Sequence, residues 1–269
     1  MAMITSQVLQ RPEGRLAYDV TGPVDAPLVV CAPGMGELRS SYRHLVPLLV
    51  ARGLRVATLD LRGHGDSDAT FSAYDDVALA TDLLALVDHL GGTAVLVGNS
   101  MAAGAAVIAA ADRPDAVGGL VLLGPFVRNP PGGRLAGLMF RLALLKPWGP
   151  TVFMSYYPKW IPGVRHEGHD EHTAAVREHL RRPGHWKAFV ATTRTTHAPA
   201  EARLDEVHCR AVVVMGADDV DWKDPGAEAA WVAGRLDAEV VMAPGVGHYP
   251  QAQAPSVVAD AVASLGARA

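Results

Sequence analysis

Six short apolar runs punctuate the chain: LVVCA (28–32), RVATL (55–59), AVLV (94–97), GLVLL (119–123), AVVVM (211–215) and EVVM (239–242). None alternates apolar with polar residues. Strands covered on both faces read this way, as in a parallel sheet between two helical layers. Helical spacing appears between the runs. Over 75–90, Leu79, Leu83, Leu86, Val87 and Leu90 return on one face, acids fill the first turn, and Gly91-Gly92 ends the pattern. Segments 225–236 and 255–265 predict two further helices, and GRLAYDVT (14–21) predicts part of an antiparallel edge. Alternating strands and helices imply right-handed crossovers and an open, mostly parallel α/β sheet flanked by helices.

The rhythm breaks after 125. PPGG (130–133), KPWGP (146–150), YYPKWIP (156–162) and RPGHW (182–186) interrupt helical stretches, of which 134–145 and 170–182 are the clearest. About 75 residues is far more than a crossover between parallel strands requires. The expectation is an inserted helical cap at 126–200, with 1–125 and 201–269 forming the core.

One stretch admits two readings. Residues 94–111 carry no charge and place Gly98, Asn99 and Ser100 at their centre. A membrane-spanning helix can look like this, but 94–97 fits the strand series and 101–111 its following helix. Gly98-Asn99-Ser100 is then a strand-to-helix turn.

Composition narrows the class. The 269 residues are 49% hydrophobic and 19% charged, with a net charge of −4 and no long run of either sign. That leaves no electrostatic footprint for nucleic acid or anionic lipid. Cys31 and Cys209 each abut a strand-like run, so two buried free thiols are expected instead of a disulfide. The first residues lack a basic start followed by an apolar core, so no secretory signal is expected and the cytoplasm is the default location. The glycines form no dinucleotide or phosphate fingerprint, so no cofactor is expected.

The turn at Ser100 carries the chemistry. A serine hydroxyl reaches a carbonyl only if it projects from the scaffold, and a sharp strand-to-helix turn crowds the backbone, requiring small neighbours. Gly98 and Ala102 flank Ser100, with Gly104 nearby. The helix that follows aims backbone N–H groups and its positive dipole end at the place an oxyanion would form. Two more loops follow strands: GADDVD (216–221), with three carboxylates, and PGVGHYP (244–250), with His248. Ligands of open α/β sheets sit at such strand ends. The chain order Ser, Asp, His supplies a nucleophile, a carboxylate that fixes an imidazole, and a base.

In these features the chain resembles the α/β-hydrolase superfamily over nearly its whole length. LDLRGHGDS (59–67) is similar to that family's Asp-x-Arg-Gly-x-Gly-x-Ser segment, and PGMG (33–36) stands where the family has a His-Gly oxyanion loop. The resemblance implies Ser100 as nucleophile, Asp219 as acid, His248 as base, and the backbone N–H groups of Met35 and Met101 as oxyanion hole. It departs from the family at Pro33-Gly34, at Ala102 in place of the commoner Gly, and at Gln251-Ala252-Gln253, where an acid is often found. Asp218 and Asp221 compete with Asp219. His64 is read as structural, Asp60, Arg62 and Asp66 as braces of their own loop. HEGHDEH (166–172) lacks the i, i+4 histidine pair of a zinc motif and reads as a solvated loop entering a helix. Met35, Met101, Met139, Met154, Trp148, Trp160 and Trp186 are read as core, with pocket lining the alternative.

The expectation is a serine hydrolase acting on a small hydrophobic ester or lactone through an acyl-enzyme. Ser100 argues against the alkyl-enzyme chemistry that an aspartate would give with epoxides or haloalkanes. The resemblance leaves three alternatives: carbon–carbon hydrolases of ring-fission products, which usually carry Trp where this chain has Tyr249, cofactor-free haloperoxidases or perhydrolases, and small-molecule receptors on the same fold.

Overall fold

The computed structural model describes residues 6–130, 134–163 and 165–266. Residues 131–133 of the PPGG stretch and the first five residues lie outside them. Eight strands form one sheet in the order β1-β2-β4-β3-β5-β6-β7-β8. They are β1 (Gln7–Arg11), β2 (Gly14–Thr21), β3 (Leu28–Ala32), β4 (Arg55–Leu59), β5 (Ala94–Asn99), β6 (Val117–Leu123), β7 (Arg210–Gly216) and β8 (Glu239–Ala243). β1 and β2 pair antiparallel, β2 meets β4 antiparallel, and all later pairings are parallel. Each apolar run of the sequence is a strand, and 14–21 is part of the antiparallel edge.

Burial explains why the runs do not alternate. Val30, Leu96, Leu120 and Val213 face one apolar cluster, while Val29, Val95, Val121 and Val212 face another on the opposite side of the sheet. Helices α1 (Leu45–Ala51) and α11 (Pro255–Ser264) cover the second face; α2 (Asp76–Leu90), α3 (Met101–Asp112) and α9 (Pro225–Leu236) cover the first. Asp75 caps α2, accepting from the Ala78 N–H at 2.9 Å, a contact worth about 1 kcal/mol. β8 departs from the pattern. It forms the sheet edge, and Val240 and Met242 are exposed; an apolar run alone does not distinguish an edge strand from a central one.

Among the described residues, five α-helices separate β6 from β7: α4 (Arg134–Ala143), α5 (Gly149–Tyr156), α6 (His169–His179), α7 (His185–Thr192) and α8 (Ala198–Arg203). α10 (Pro250–Gln253) is a single turn after β8. Phe153, Tyr157, Val176 and Phe189 of the insertion form a third apolar cluster together with Leu38, Tyr249 and Ala252. α4 and α6 start and stop within three residues of the expected 134–145 and 170–182. Among the described residues, no helix is long and apolar enough to cross a membrane. Cys31 is buried and Cys209 half-buried, both as free thiols.

The insertion is tied to the sheet's loops through one buried carboxylate. Glu37, 1% exposed, accepts from the Tyr157 hydroxyl and lies 2.8 Å from His172 Nε2. His172 Nδ1 in turn meets the Ser40 hydroxyl at 3.1 Å. Burial opposes the charge on Glu37, but His172 and Tyr157 outweigh it and hold the carboxyl below its ordinary range.

Candidate active site

Ser100 sits between the end of β5 and the start of α3 with φ 58° and ψ −124°. Few non-glycine residues adopt this backbone, which costs on the order of 1–3 kcal/mol and is held only by its surroundings. Those surroundings are visible. The Ser100 N–H donates to the Leu123 carbonyl at 2.9 Å, and the Ser100 carbonyl accepts from Ala103 at 3.0 Å and Phe126 at 3.2 Å. A Cβ on Gly98 would lie 2.4 Å from the Ala102 carbonyl, and one on Gly34 would lie 2.8 Å from Ser100 Cβ. Glycine is therefore a steric requirement on both sides of the turn.

His248 follows β8 on its tight loop. Its Nδ1 is 2.7 Å from Asp219 Oδ2 and 3.5 Å from Asp221 Oδ2. Asp219 also accepts the Asp221 N–H at 3.0 Å, while Asp218 is exposed. Asp221 Oδ1 takes the indole N–H of Trp160 at 2.8 Å, and the Trp160 carbonyl takes the His248 N–H at 2.9 Å. The insertion thus braces both the imidazole and its second carboxylate. Burial disfavours the His248 cation, but the charge of Asp219 and then of Asp221 overrides it and carries the pKa up to about 9. Burial pushes Asp221 up, against the pull of His248 and Trp160.

The Gln251-Ala252-Gln253 departure has a structural account. Gln251 donates to Asn99 Oδ1 at 3.2 Å, and Asn99 donates to the carbonyls of His248 at 2.9 Å and Leu123 at 3.0 Å. Gln253 accepts from Gly247 N at 2.9 Å and donates to the Pro162 carbonyl at 2.7 Å. Gln251 and Asn99 lace the serine turn to the histidine loop, and Gln253 ties that loop to Pro162.

Met35 lines the cavity that Ser100 and His248 line, and Met101 follows Ser100 at the start of α3. Among the described residues, neither backbone N–H makes a hydrogen bond within the protein. The loop holding Met35 is fixed from behind: His64 Nδ1 donates to the Arg62 carbonyl at 2.9 Å and Nε2 accepts the Gly36 N–H at 3.0 Å. Burial lowers the His64 pKa to about 4, so the ring stays neutral and keeps accepting. The neighbouring residues reach beyond their own loop. Arg62 pairs with Asp82 of α2, Asp60 with Arg39, and Asp66 with Arg182 of the insertion.

Ser100, His248, Met35 and Asp221 line one cavity of about 360 Å³ between the strand ends and the insertion. Phe126, Phe153, Phe189 and Trp160 make most of its remaining wall apolar. Of the other candidate lining residues, Met101 and Trp186 are buried, Met154 packs against the third apolar cluster, and Met139 and Trp148 are exposed. In the 166–172 segment His166 lies 2.7 Å from Arg43 and His172 joins Glu37, so the two point to different partners. Asp219, Asp221 and His248 bring three donor atoms close enough for a cation. The 2.7 Å contact between Nδ1 and Asp219 already occupies that ring nitrogen, as a proton bridge does. The cavity also contains a second imidazole that sequence reasoning missed. His197 lines the same cavity as His248, neighbours Phe126 and pairs with Asp76 at 2.7 Å. Their separation of 121 positions leaves no local signal.

The Alpha/beta hydrolase family matches residues 29–261. The chain belongs to that family. Its relatives include Epoxide hydrolase A of Mycobacterium tuberculosis, 36% identical over 38% of this chain and 33% of the relative. RutD of Variovorax paradoxus is 28% identical over 77% of this chain and 80% of the relative. The sn-1-specific diacylglycerol lipase ABHD11 of Mus musculus is 36% identical over 40% and 36%. The match thus spans only about a third of the first and the third. Among solved structures, a hydrolase from Pseudomonas aeruginosa PA01 superposes with TM-score 0.82 at 22% identity, covering 97% of each chain. Haloalkane dehalogenase DbeA from Bradyrhizobium elkani superposes with TM-score 0.80 at 23% identity, again covering 97% of each. These establish the fold. The chain is an α/β hydrolase.

Proposed function

We propose that this hydrolase cleaves a small apolar carboxylic ester or lactone through an acyl-enzyme on Ser100. The observation that carries the reading is the buried His248–Asp219 pair at 2.7 Å, sharing one largely apolar cavity with a serine held in a strained turn. In the proposed reaction His248 Nε2 takes the Ser100 proton as Oγ bonds the ester carbonyl carbon. The Met35 and Met101 N–H groups receive the resulting oxyanion, and Asp219 holds the imidazole tautomer and steadies its cation. The tetrahedral intermediate expels the alcohol, which leaves with the proton from His248. Water then repeats the sequence on the acyl-enzyme and releases the acid. An alkyl-enzyme route needs a carboxylate nucleophile, and position 100 offers a hydroxyl. In this reading residues 126–200 are the cap that closes the cavity and shapes it for an apolar substrate.

Intact mass after fluorophosphonate treatment, with a panel of aryl esters, tests this. One adduct on the wild type, none on Ser100→Ala, and ester turnover lost in that variant are expected. A folded wild type without adduct or turnover would overturn the proposal in favour of a receptor.

A further inference from the structure

The proposed reaction uses one of two carboxylate-held imidazoles in the cavity. His197, 5% exposed, places Nδ1 2.7 Å from Asp76 Oδ2. Asp76 is buried at the start of α2, and its other oxygen accepts the Thr195 hydroxyl at 3.1 Å. The backbone on both sides is fixed as well: Asp76 N donates to Thr195 Oγ1 at 3.2 Å, and His197 N donates to Asn129 Oδ1 at 2.9 Å. Close approach of α2 to α3 makes room for the carboxylate, since a Cβ on Gly104 would lie 2.9 Å from Asp76 Oδ2. Ring orientation and tautomer are thus set as firmly as those of His248.

With Nδ1 committed to Asp76, Nε2 is the ring nitrogen left for a ligand. Among the described residues it has no partner in the protein, it keeps contact with solvent, and the residue lines the cavity. The Phe126 ring neighbours both imidazoles, its centroid 5.5 Å from that of His197 and 5.7 Å from that of His248. Thr195 and Asn129, tied to the His197–Asp76 pair, and Thr193 also line the cavity. No lysine or arginine is among the lining residues described, so the cavity offers no fixed cation for a carboxylate. A hydroxyl both donates and accepts, so it pairs with Nε2 whether that nitrogen accepts or donates. An ammonium would be desolvated against aromatic walls at high cost, whereas a hydroxyl would not.

We infer that His197, positioned by Asp76, is a specificity-determining residue that binds a hydroxyl of the substrate in the cavity it shares with Ser100. The substrate class is therefore a neutral hydroxylated ester or hydroxylated lactone. This inference rests on the ester-hydrolase reading of the same cavity.

Matched plain and ω-hydroxylated esters test it, with the hydroxyl placed on the acyl chain in one series and on the alcohol chain in another. Wild type should favour the hydroxylated member of one series by roughly three- to tenfold in kcat/KM, expressed in KM. His197→Leu should abolish the preference and still turn over the plain ester, and His197→Gln, which restores a polar atom, should recover part of it. Binding supplies a readout independent of turnover. In Ser100→Ala, tryptophan fluorescence should show an α,ω-diol binding several-fold tighter than the matching alkanol, and adding His197→Leu should equalise them. Equal handling of plain and hydroxylated compounds by wild type would overturn the inference. So would a His197→Leu variant that slows both esters alike, because the pair would then be only a pin between α2 and the insertion. Loss of the underlying reading looks different: no ester is turned over and Ser100 takes no fluorophosphonate, while the diol arm still reports on His197.

Discussion

Two carboxylates on one imidazole nitrogen should set the pH at which the enzyme works. Asp221 Oδ2 stands 3.5 Å from His248 Nδ1, with 22% of its side chain exposed. A full charge at this range is worth about 4 kcal/mol at an effective dielectric of about 20. Asp221 is the more distant and more hydrated of the two acids, so about 1.4–2.8 kcal/mol is a reasonable share, or roughly one to two pH units. In Asp221→Asn the side-chain carbonyl can still accept the Trp160 indole N–H, so the charge is removed with little change of shape. For wild type, kcat/KM on an activated aryl ester should rise with pH through a midpoint near about 9, where His248 loses its proton. In Asp221→Asn the midpoint should fall to about 7–8. The variant should be several-fold faster than wild type near neutrality and slower on the alkaline plateau, where it has the weaker base. Stability should change on the same side of the scale. A raised His248 pKa stabilises the fold fully below the unfolded value of about 6.5 and loses that contribution as pH rises through about 9. Asp221→Asn should therefore lower Tm at pH 6 and barely at pH 10. An unmoved midpoint, or one displaced upward, would refute the reasoning.

Asp219→Asn should lower kcat by about three to four orders of magnitude, because the tautomer is lost along with the charge, whereas Asp218→Asn should leave steady-state rates unchanged. Gly34→Ala forces a Cβ against Ser100 and should cost about ten- to a hundredfold in kcat, with circular dichroism unchanged; full activity would show that the turn tolerates displacement. Acid should destabilise the protein through two histidines that burial keeps neutral, His64 with a pKa of about 4 and His179 of about 2. Below the unfolded value of about 6.5 only the unfolded chain takes up these protons, so urea stability should fall by about 1.4 kcal/mol per pH unit for each ring. His179→Leu should halve that slope, and an unchanged slope would exclude the ring.

The parts of this molecule that could be read from sequence are those encoded within a single element. β3 to β7 appeared as apolar runs because both faces of each are covered, and the serine turn appeared because steric crowding demands Gly98 and Ala102 beside it. What could not be read involves side chains brought together by elements far apart. Asp76 meets His197 because α2 packs on α3 and the insertion returns over both. Trp160 reaches Asp221 for the same reason, and the Gln251–Asn99 contact joins two loops at different strand ends. Periodicity reports how much of an element is covered, and it carries no label for what covers it. The exposed side of β8 belongs to the same class: its run matches the others, and only its place at the sheet edge sets it apart.

Glu37 lies two positions after Met35, and both of its oxygens are committed to insertion residues Tyr157 and His172. This limits how far the insertion is interchangeable between homologous scaffolds. A chimera joined at the chain boundaries near 126 and 200, carrying foreign helices without a matching hydroxyl and imidazole, would strand a carboxylate in the interior. That is a defect of about 3–5 kcal/mol. It would arise on the very loop that presents Met35 to the cavity. Portability is therefore decided by a three-residue handshake, and recombination that transplants Glu37, Tyr157 and His172 together should yield folded hybrids where exchange of the helices alone fails.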